Sequence, residues 1–209
     1  MKLQNVDKLY SAVSAMFVFA SLASAQPHAT FAIDVIGGVV SPSNPSVTVR
    51  VSGVFPETWY ALGYAEFDLI SSDETGEFSN LFIPAPIGPY PHGTWGCVNT
   101  LAGAIVSGSI IEAGFFQLNA VGCVAHTGTP LPIWEGTWTA TDFTPRTVTL
   151  HTDNTQEFRV LVDSTATFGY DFVAAGWFDH GFGSITVVPA PSSGALMLAG
   201  MMCIARRRR

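Results

Sequence analysis

Apolar and polar residues alternate with period two through much of the chain. In Val47-Thr48-Val49-Arg50-Val51-Ser52 the valines fall on one side and the polar groups on the other. Trp134, Gly136, Trp138 and Ala140 alternate with Glu135, Thr137, Thr139 and Thr141. Val148 and Leu150 alternate with Thr147 and Thr149. Phe158, Val160 and Val162 alternate with Arg159 and Asp163, with Leu161 on the polar side. Ala166, Phe168, Tyr170 and Phe172 alternate with Thr165, Thr167, Gly169 and Asp171. A run of this kind is the mark of a half-buried β-strand. Further strands are predicted over 31–36, 60–70, 105–111, 115–121 and 184–188. Turn residues separate them: Gly37-Gly38, the Ser-Pro-rich stretch from Ser41 to Pro45, Asp73 to Gly76, Thr144-Pro145 and Asp153-Asn154. No stretch combines helical periodicity with a cap. About ten short strands predict an all-β, antiparallel β-sandwich with jelly-roll or Greek-key connections. Residues 84–96 hold too much proline and glycine for a strand and are expected to form a long irregular loop at one end.

The two ends break the pattern. Lys2 and Lys8 precede an apolar stretch from Ala12 to Leu22, and Ala23-Ser24-Ala25 follows. That order predicts a secretory signal helix over residues 1–25, cut by signal peptidase between Ala25 and Gln26. At the other end, Val188-Pro189-Ala190-Pro191-Ser192-Ser193 leads into an apolar run from Gly194 to Ala205, which includes Leu196, Leu198 and Ile204. Arg206, Arg207, Arg208 and Arg209 close the chain. A helix of a dozen residues rises only about 18 Å, short of a hydrocarbon core of about 30 Å. Snorkelling arginines extend its reach, and the positive-inside rule keeps them cytoplasmic. The expected organisation is therefore a signal peptide (1–25), a sandwich domain (26–187) and a C-terminal segment (188–209) that enters the inner membrane transiently.

This tail resembles the PEP-CTERM sorting signal, in which a Pro-x-Pro motif precedes a short apolar helix and a terminal arginine cluster. Here the motif is Pro189-Ala190-Pro191, with Ala190 in the position of the name-giving glutamate. The Val188-Pro189-Ala190-Pro191-Ser192 form is similar to the planctomycete-type variant. The resemblance implies recognition by an exosortase-type sorting enzyme, removal of the tail, and delivery to the cell surface or extracellular matrix. A retained membrane anchor is the alternative. The body also resembles cohesin-like domains. Tyr60-Ala61-Leu62-Gly63-Tyr64-Ala65-Glu66-Phe67-Asp68-Leu69 is similar to one of their strands, and Pro132 to Ala140 to another. The resemblance implies a jelly-roll sandwich of a kind that often binds other proteins; it assigns no dockerin partner.

Composition sharpens this picture. Charged residues make up 12% of the chain, about half the usual share. The ends hold both lysines and four of the seven arginines, so residues 26–187 keep only Arg50, Arg146 and Arg159 against fifteen carboxylates, a net charge of −12. That surface disfavours nucleic acid and anionic membranes. Cys97 and Cys123 are the only cysteines of the body. In an exported chain the pair predicts a disulfide. Closing a loop of about 27 residues this way stabilises by roughly 3 kcal/mol.

There is no G-x-S-x-G, H-E-x-x-H, P-loop or Rossmann pattern, and the expected protein is not an enzyme. Asp73, Glu74 and Glu77 form an acidic turn whose oxygens suit calcium, without EF-hand spacing; a solvated hairpin is the alternative. No other metal or cofactor is indicated. Asp179-His180-Gly181 reads as a polar turn. Trp59, Tyr60, Tyr90, Trp95 and Trp177 could stack on sugar rings if exposed, with Tyr90 and Trp95, in the Pro/Gly loop, the foremost ligand-binding candidates. Trp134 and Trp138 share one strand face and are expected in the core. The leading expectation is an exported structural or adhesive protein whose partners are surface proteins or extracellular polysaccharide. A carbohydrate-binding module is the alternative, and a secreted hydrolase a third reading.

Overall fold

The computed structural model describes residues 28–82, 98–117, 129–163 and 168–190. Thirteen strands run through them: β1 (Ala29–Ile36), β2 (Ser46–Val54), β3 (Ala61–Ser71), β4 (Glu77–Phe82), β5 (Val98–Leu101), β6 (Ala104–Val106), β7 (Ser109–Gln117), β8 (Leu131–Thr139), β9 (Arg146–Asp153), β10 (Phe158–Leu161), β11 (Phe168–Asp171), β12 (Phe178–Asp179) and β13 (Phe182–Val187). They form two sheets. The smaller has the order β12-β1-β2-β8-β4. The larger follows β11-β10-β3-β7-β5, with β9 beside β3, β13 beside β9 and β6 beside β7. All pairings are antiparallel except the two-residue contact of β12 with β1. The all-β antiparallel sandwich expected from the sequence is the fold. The expected signal helix and C-terminal apolar helix lie outside the described residues, and no helix among the described residues is long and apolar enough to cross a membrane.

The alternation explains the core. Val47, Val49 and Val51 of β2 are buried, as are Trp134 and Trp138 of β8 and Val148 and Leu150 of β9. These side chains, with Phe67, Phe115 and Phe158 of the larger sheet, make one continuous cluster between the sheets. Phe31 of β1 reaches across it. Its ring lies 4.9 Å from that of Phe67 and 5.4 Å from that of Phe158. Fully burying such side chains is worth about 1.5–3 kcal/mol each, and this is what holds two sheets face to face.

Three expectations need correction. Residues 105–111 are not one strand but a hairpin: Ser107 (φ 48°) and Gly108 (φ 75°) form a two-residue turn between β6 and β7. Two successive left-handed residues fit the right-handed twist of the flanking strands. A Cβ on Gly108 would stand 2.6 Å from the Asp73 carbonyl oxygen, so the position also demands a residue without one. Second, β4, β5 and β12 carry no clear alternation and were not foreseen. Third, Phe168, Tyr170 and Phe172 do not share one face: Phe172 is buried in the core, whereas Phe168 lies against Phe116 on the outside of the larger sheet.

Candidate functional site

Strand β3 is the hub of the larger sheet, pairing with β7 on one edge and with β10 and then β9 on the other. Its outward positions meet those of its neighbours in register. Arg159 stands opposite both Asp171 and Tyr64, and Tyr64 opposite Phe116. The result is an outer face with an aromatic centre. Tyr64 meets Phe116 edge-on at 6.3 Å, and Phe116 stacks on Phe168 at 6.0 Å. Gly63 lets Phe168 come this close, because a Cβ there would fall 2.8 Å from both Phe168 and Leu161. Leu161 and Ala61 form a small, fully buried cluster, with Tyr60 packed on them.

The polar groups around this centre are tied to one another. Tyr64 donates its hydroxyl hydrogen to Glu66 Oε2 at 2.7 Å. That bond to a carboxylate, aided by partial burial, pushes the phenol up to about 12. Arg159 donates to Glu157 Oε1 at 3.0 Å and to Asp171 Oδ2 at 3.3 Å. At the centre of the sheet Asp68 accepts the Glu112 backbone N–H at 2.8 Å, fixing a residue with φ 58° within β7. The face is part apolar, and its polar groups are paired with one another, a surface suited to contact.

A second concavity opens at one end of the sandwich. The loop between β2 and β3, Thr129 of the cis Thr129-Pro130 bond and Val162 just after β10 line an open concavity of about 610 Å³. Trp59, Tyr60, Phe55 and Val162 give it apolar walls, and Glu57, Thr58 and Thr129 supply polar groups. Trp59 stacks on Tyr170 at 5.8 Å, which in turn stacks on Trp177 at 5.4 Å.

The structure places the residues singled out from the sequence unevenly. Asp73 is buried. Its Oδ1 accepts from the Thr75 backbone N–H and hydroxyl at 2.9 and 2.6 Å, and its Oδ2 pairs with Arg146 at 2.7 Å. Burial alone would raise its pKa; the bonds from Thr75 and Arg146 outweigh burial and hold the carboxyl below its ordinary value. Glu74 and Glu77 are exposed and do not join it. Among the described residues no group of three or more His, Cys, Asp or Glu could hold a metal. The acidic turn suggested for calcium is thus organised by an arginine. Asp179 pairs with His28 at 3.0 Å on an exposed edge, and His180 lies edge-on to Phe178. Val188 donates its N–H to the Val40 carbonyl at 2.9 Å, so the segment expected to carry a sorting motif leaves directly from the end of β13, with Pro189 and Ala190 exposed. Trp134 and Trp138 are in the core as expected. Pro191, Ser192 and the rest of the tail, the expected cleavage site at Ala23, Ala25 and Gln26, Cys97 and Cys123 of the expected disulfide, and Tyr90 and Trp95 lie outside the described residues.

The aromatic face was not singled out from the sequence. A signal was present: Phe115 and Phe116 are consecutive on one strand, so only one can enter the core. Tyr64 likewise occupies an outward position of β3.

Comparison with known proteins agrees with this architecture. No protein-family model and no curated protein matches the sequence. Among solved structures, a cohesin module from a family 33 glycoside hydrolase of Clostridium perfringens is similar, with a TM-score of 0.52 at 7% identity over 78% of this chain and 98% of that one. A type I cohesin from Pseudobacteroides cellulosolvens gives a TM-score of 0.46 at 17% identity, covering 79% of this chain and 96% of that one. The fold is a cohesin-like sandwich.

Proposed function

We propose that the chain is an exported, non-catalytic surface or matrix protein with a structural or adhesive role. In this reading residues 1–25 direct export and 188–209 direct sorting by an exosortase-type enzyme, leaving 26–187 as the working module. The observation that carries it is the outer face of the larger sheet. Tyr64, Phe116 and Phe168 offer aromatic contact area, while the neighbouring titratable groups are engaged with one another rather than poised for proton transfer. Aromatic anchors of this kind dominate protein interfaces. The partner is expected to carry basic groups, since the body bears −12.

Two measurements test this. Replacing Tyr64 and Phe116 together by alanine is expected to weaken retention of the exported protein on its host's surface about 30-fold, the effect of losing about 2 kcal/mol, with the far-UV circular dichroism unchanged. Undiminished retention would remove the face from consideration. Intact-mass analysis of surface protein is expected to show a chain that starts at Gln26 and lacks Arg206 to Arg209, with Cys97 joined to Cys123 under non-reducing mapping. A mass that includes the four arginines would refute the processing step.

Saccharide binding is the second reading, favoured by the aromatic-lined pocket at the end of the sandwich. Hydrolysis has less support there. Glycosidases use two carboxyl groups about 5–10 Å apart, and among the described residues lining the pocket Glu57 is the only acid.

A further inference from the structure

The end pocket has a chemical character that narrows its ligand. Its main aromatic wall is held in place before any ligand arrives. The Trp59 backbone N–H donates to the Pro56 carbonyl at 3.1 Å, and that of Tyr60 to the Leu161 carbonyl at 3.0 Å. The Trp59 ring is supported by Tyr170 on one face and by Phe172 edge-on at 6.3 Å. Its indole N–H is buried with no acceptor among the described residues, so the ring meets a ligand through its apolar surface and not through its N–H.

The polar groups at the pocket are available. Glu57 and Thr58 are exposed and hydrogen-bond to no other described residue. The Thr129 hydroxyl accepts the Phe55 N–H at 3.0 Å, which leaves its own hydrogen free to donate. An aromatic wall beside a carboxylate and two hydroxyls matches a pyranose, which has an apolar C–H face and a rim of hydroxyls. The volume of about 610 Å³ falls within the range of ~300–1,000 Å³ usual for small-molecule sites.

Charge decides between kinds of sugar. The three arginines of the body are each ion-paired, Arg50 with Glu135, Arg146 with Asp73 and Asp142, Arg159 with Glu157 and Asp171. None lines the pocket, there is no lysine between residues 26 and 187, and Glu57 stands at the pocket. Among the described residues, a uronate or sulfated sugar would meet a carboxylate and no cation. We infer that the pocket binds a saccharide without acidic groups, its ring against Trp59 and Tyr60 and its hydroxyls bonded to Glu57, Thr58 and Thr129. This inference deepens the saccharide reading and does not depend on the sheet face.

The test is calorimetric titration of the full-length chain in mild detergent. The neutral probes are cellotetraose, maltotetraose, mannotetraose and galactotetraose, and tetragalacturonate is the acidic one. At least one neutral probe is expected to bind. Affinity should fall about tenfold or more in Trp59→Ala and several-fold in Glu57→Gln, and be unchanged in the exposed Phe182→Ala. Circular dichroism checks the fold of each variant; should Trp59→Ala unfold, the exposed Glu57→Gln decides. Binding of the acidic probe alone would overturn the inference while leaving the saccharide reading intact. No binding of any probe would overturn both. Neutral binding unaffected by Glu57→Gln and Trp59→Ala would place the site elsewhere and overturn the assignment.

Discussion

Replacing Phe31 by alanine is expected to destabilise the sandwich by about 4 kcal/mol, which lowers the melting temperature by roughly 10 °C for a chain of this size. Phe31 is 2% exposed. It belongs to the smaller sheet, yet its ring touches Phe67 of β3 and Phe158 of β10 in the larger one, and meets Phe178 of β12 at 5.2 Å. Truncation removes the transfer energy of the ring and three aromatic contacts, and leaves a cavity between two sheets whose backbones are pinned by their own hydrogen bonds. Such a site cannot collapse to fill the gap. Phe182 provides the contrast. It is 75% exposed on β13, and its replacement by alanine is expected to change stability by no more than about 0.5 kcal/mol. Thermal or urea denaturation of the two variants checks the pair, and equal effects would contradict the assignment of Phe31 as the bridge between sheets.

The second large effect is expected at Arg146. Arg146→Met leaves the Asp73 carboxylate, 9% exposed, without its cation. Breaking a buried pair from one side costs about 3 kcal/mol or more. Its pH dependence identifies the cause. In the native protein Asp73 has a depressed pKa. The stability this provides is complete above the carboxyl pKa of the unfolded chain, about 4, and is lost as pH falls through the lower folded value. In Arg146→Met the two Thr75 bonds to Asp73 remain but the guanidinium does not, so less offsets its burial and the ionised form is stabilised less near neutrality. The gap between the two proteins is therefore expected to be widest near pH 7 and to narrow in acid. Denaturation curves from about pH 2 to pH 7 measure this; parallel curves would show that Arg146 acts through packing alone.

Much of the fold was legible because burial on one face of a sheet writes alternation into the sequence. The valines of β2 and the tryptophans of β8 are such positions. Where strands are short or lie at an edge, that pressure is weak. β4 begins at Glu77 within what reads as an acidic turn, and β12 is two residues long. The break at Ser107-Gly108 was hidden by the β-branched residues on either side of it. The candidate sites were less legible for a different reason. The aromatic face depends on which residues of β3, β7, β10 and β11 come into register, and the end pocket on a loop, a strand start and a strand end far apart in sequence. Trp59 and Tyr60 could be named as possible sugar contacts, but Thr129 and Val162 became their neighbours only through the fold. Asp73 shows the opposite case. Its acidic neighbours suggested a metal, while its true partner, Arg146, lies 73 residues away.

The course of β13 has a mechanical consequence. Gly181 and Gly183 lie against Phe31 and Ile33, and Val187 bridges Val40 in parallel, so β13 runs beside β1 in the same direction. Because β2 returns antiparallel to β1, with Val54 opposite Thr30, the loop that carries Trp59 sits at the pole where β1 begins. The chain leaves β13 at the other pole, a strand length of about 25 Å away. A body tethered by residues beyond Val187 would therefore hold its pocket outward, away from the tether. Tension between a captured ligand and the tether would run along the strands. The six paired positions of β13 and β9, whose hydrogen bonds lie across that axis, would be sheared together rather than peeled apart in turn.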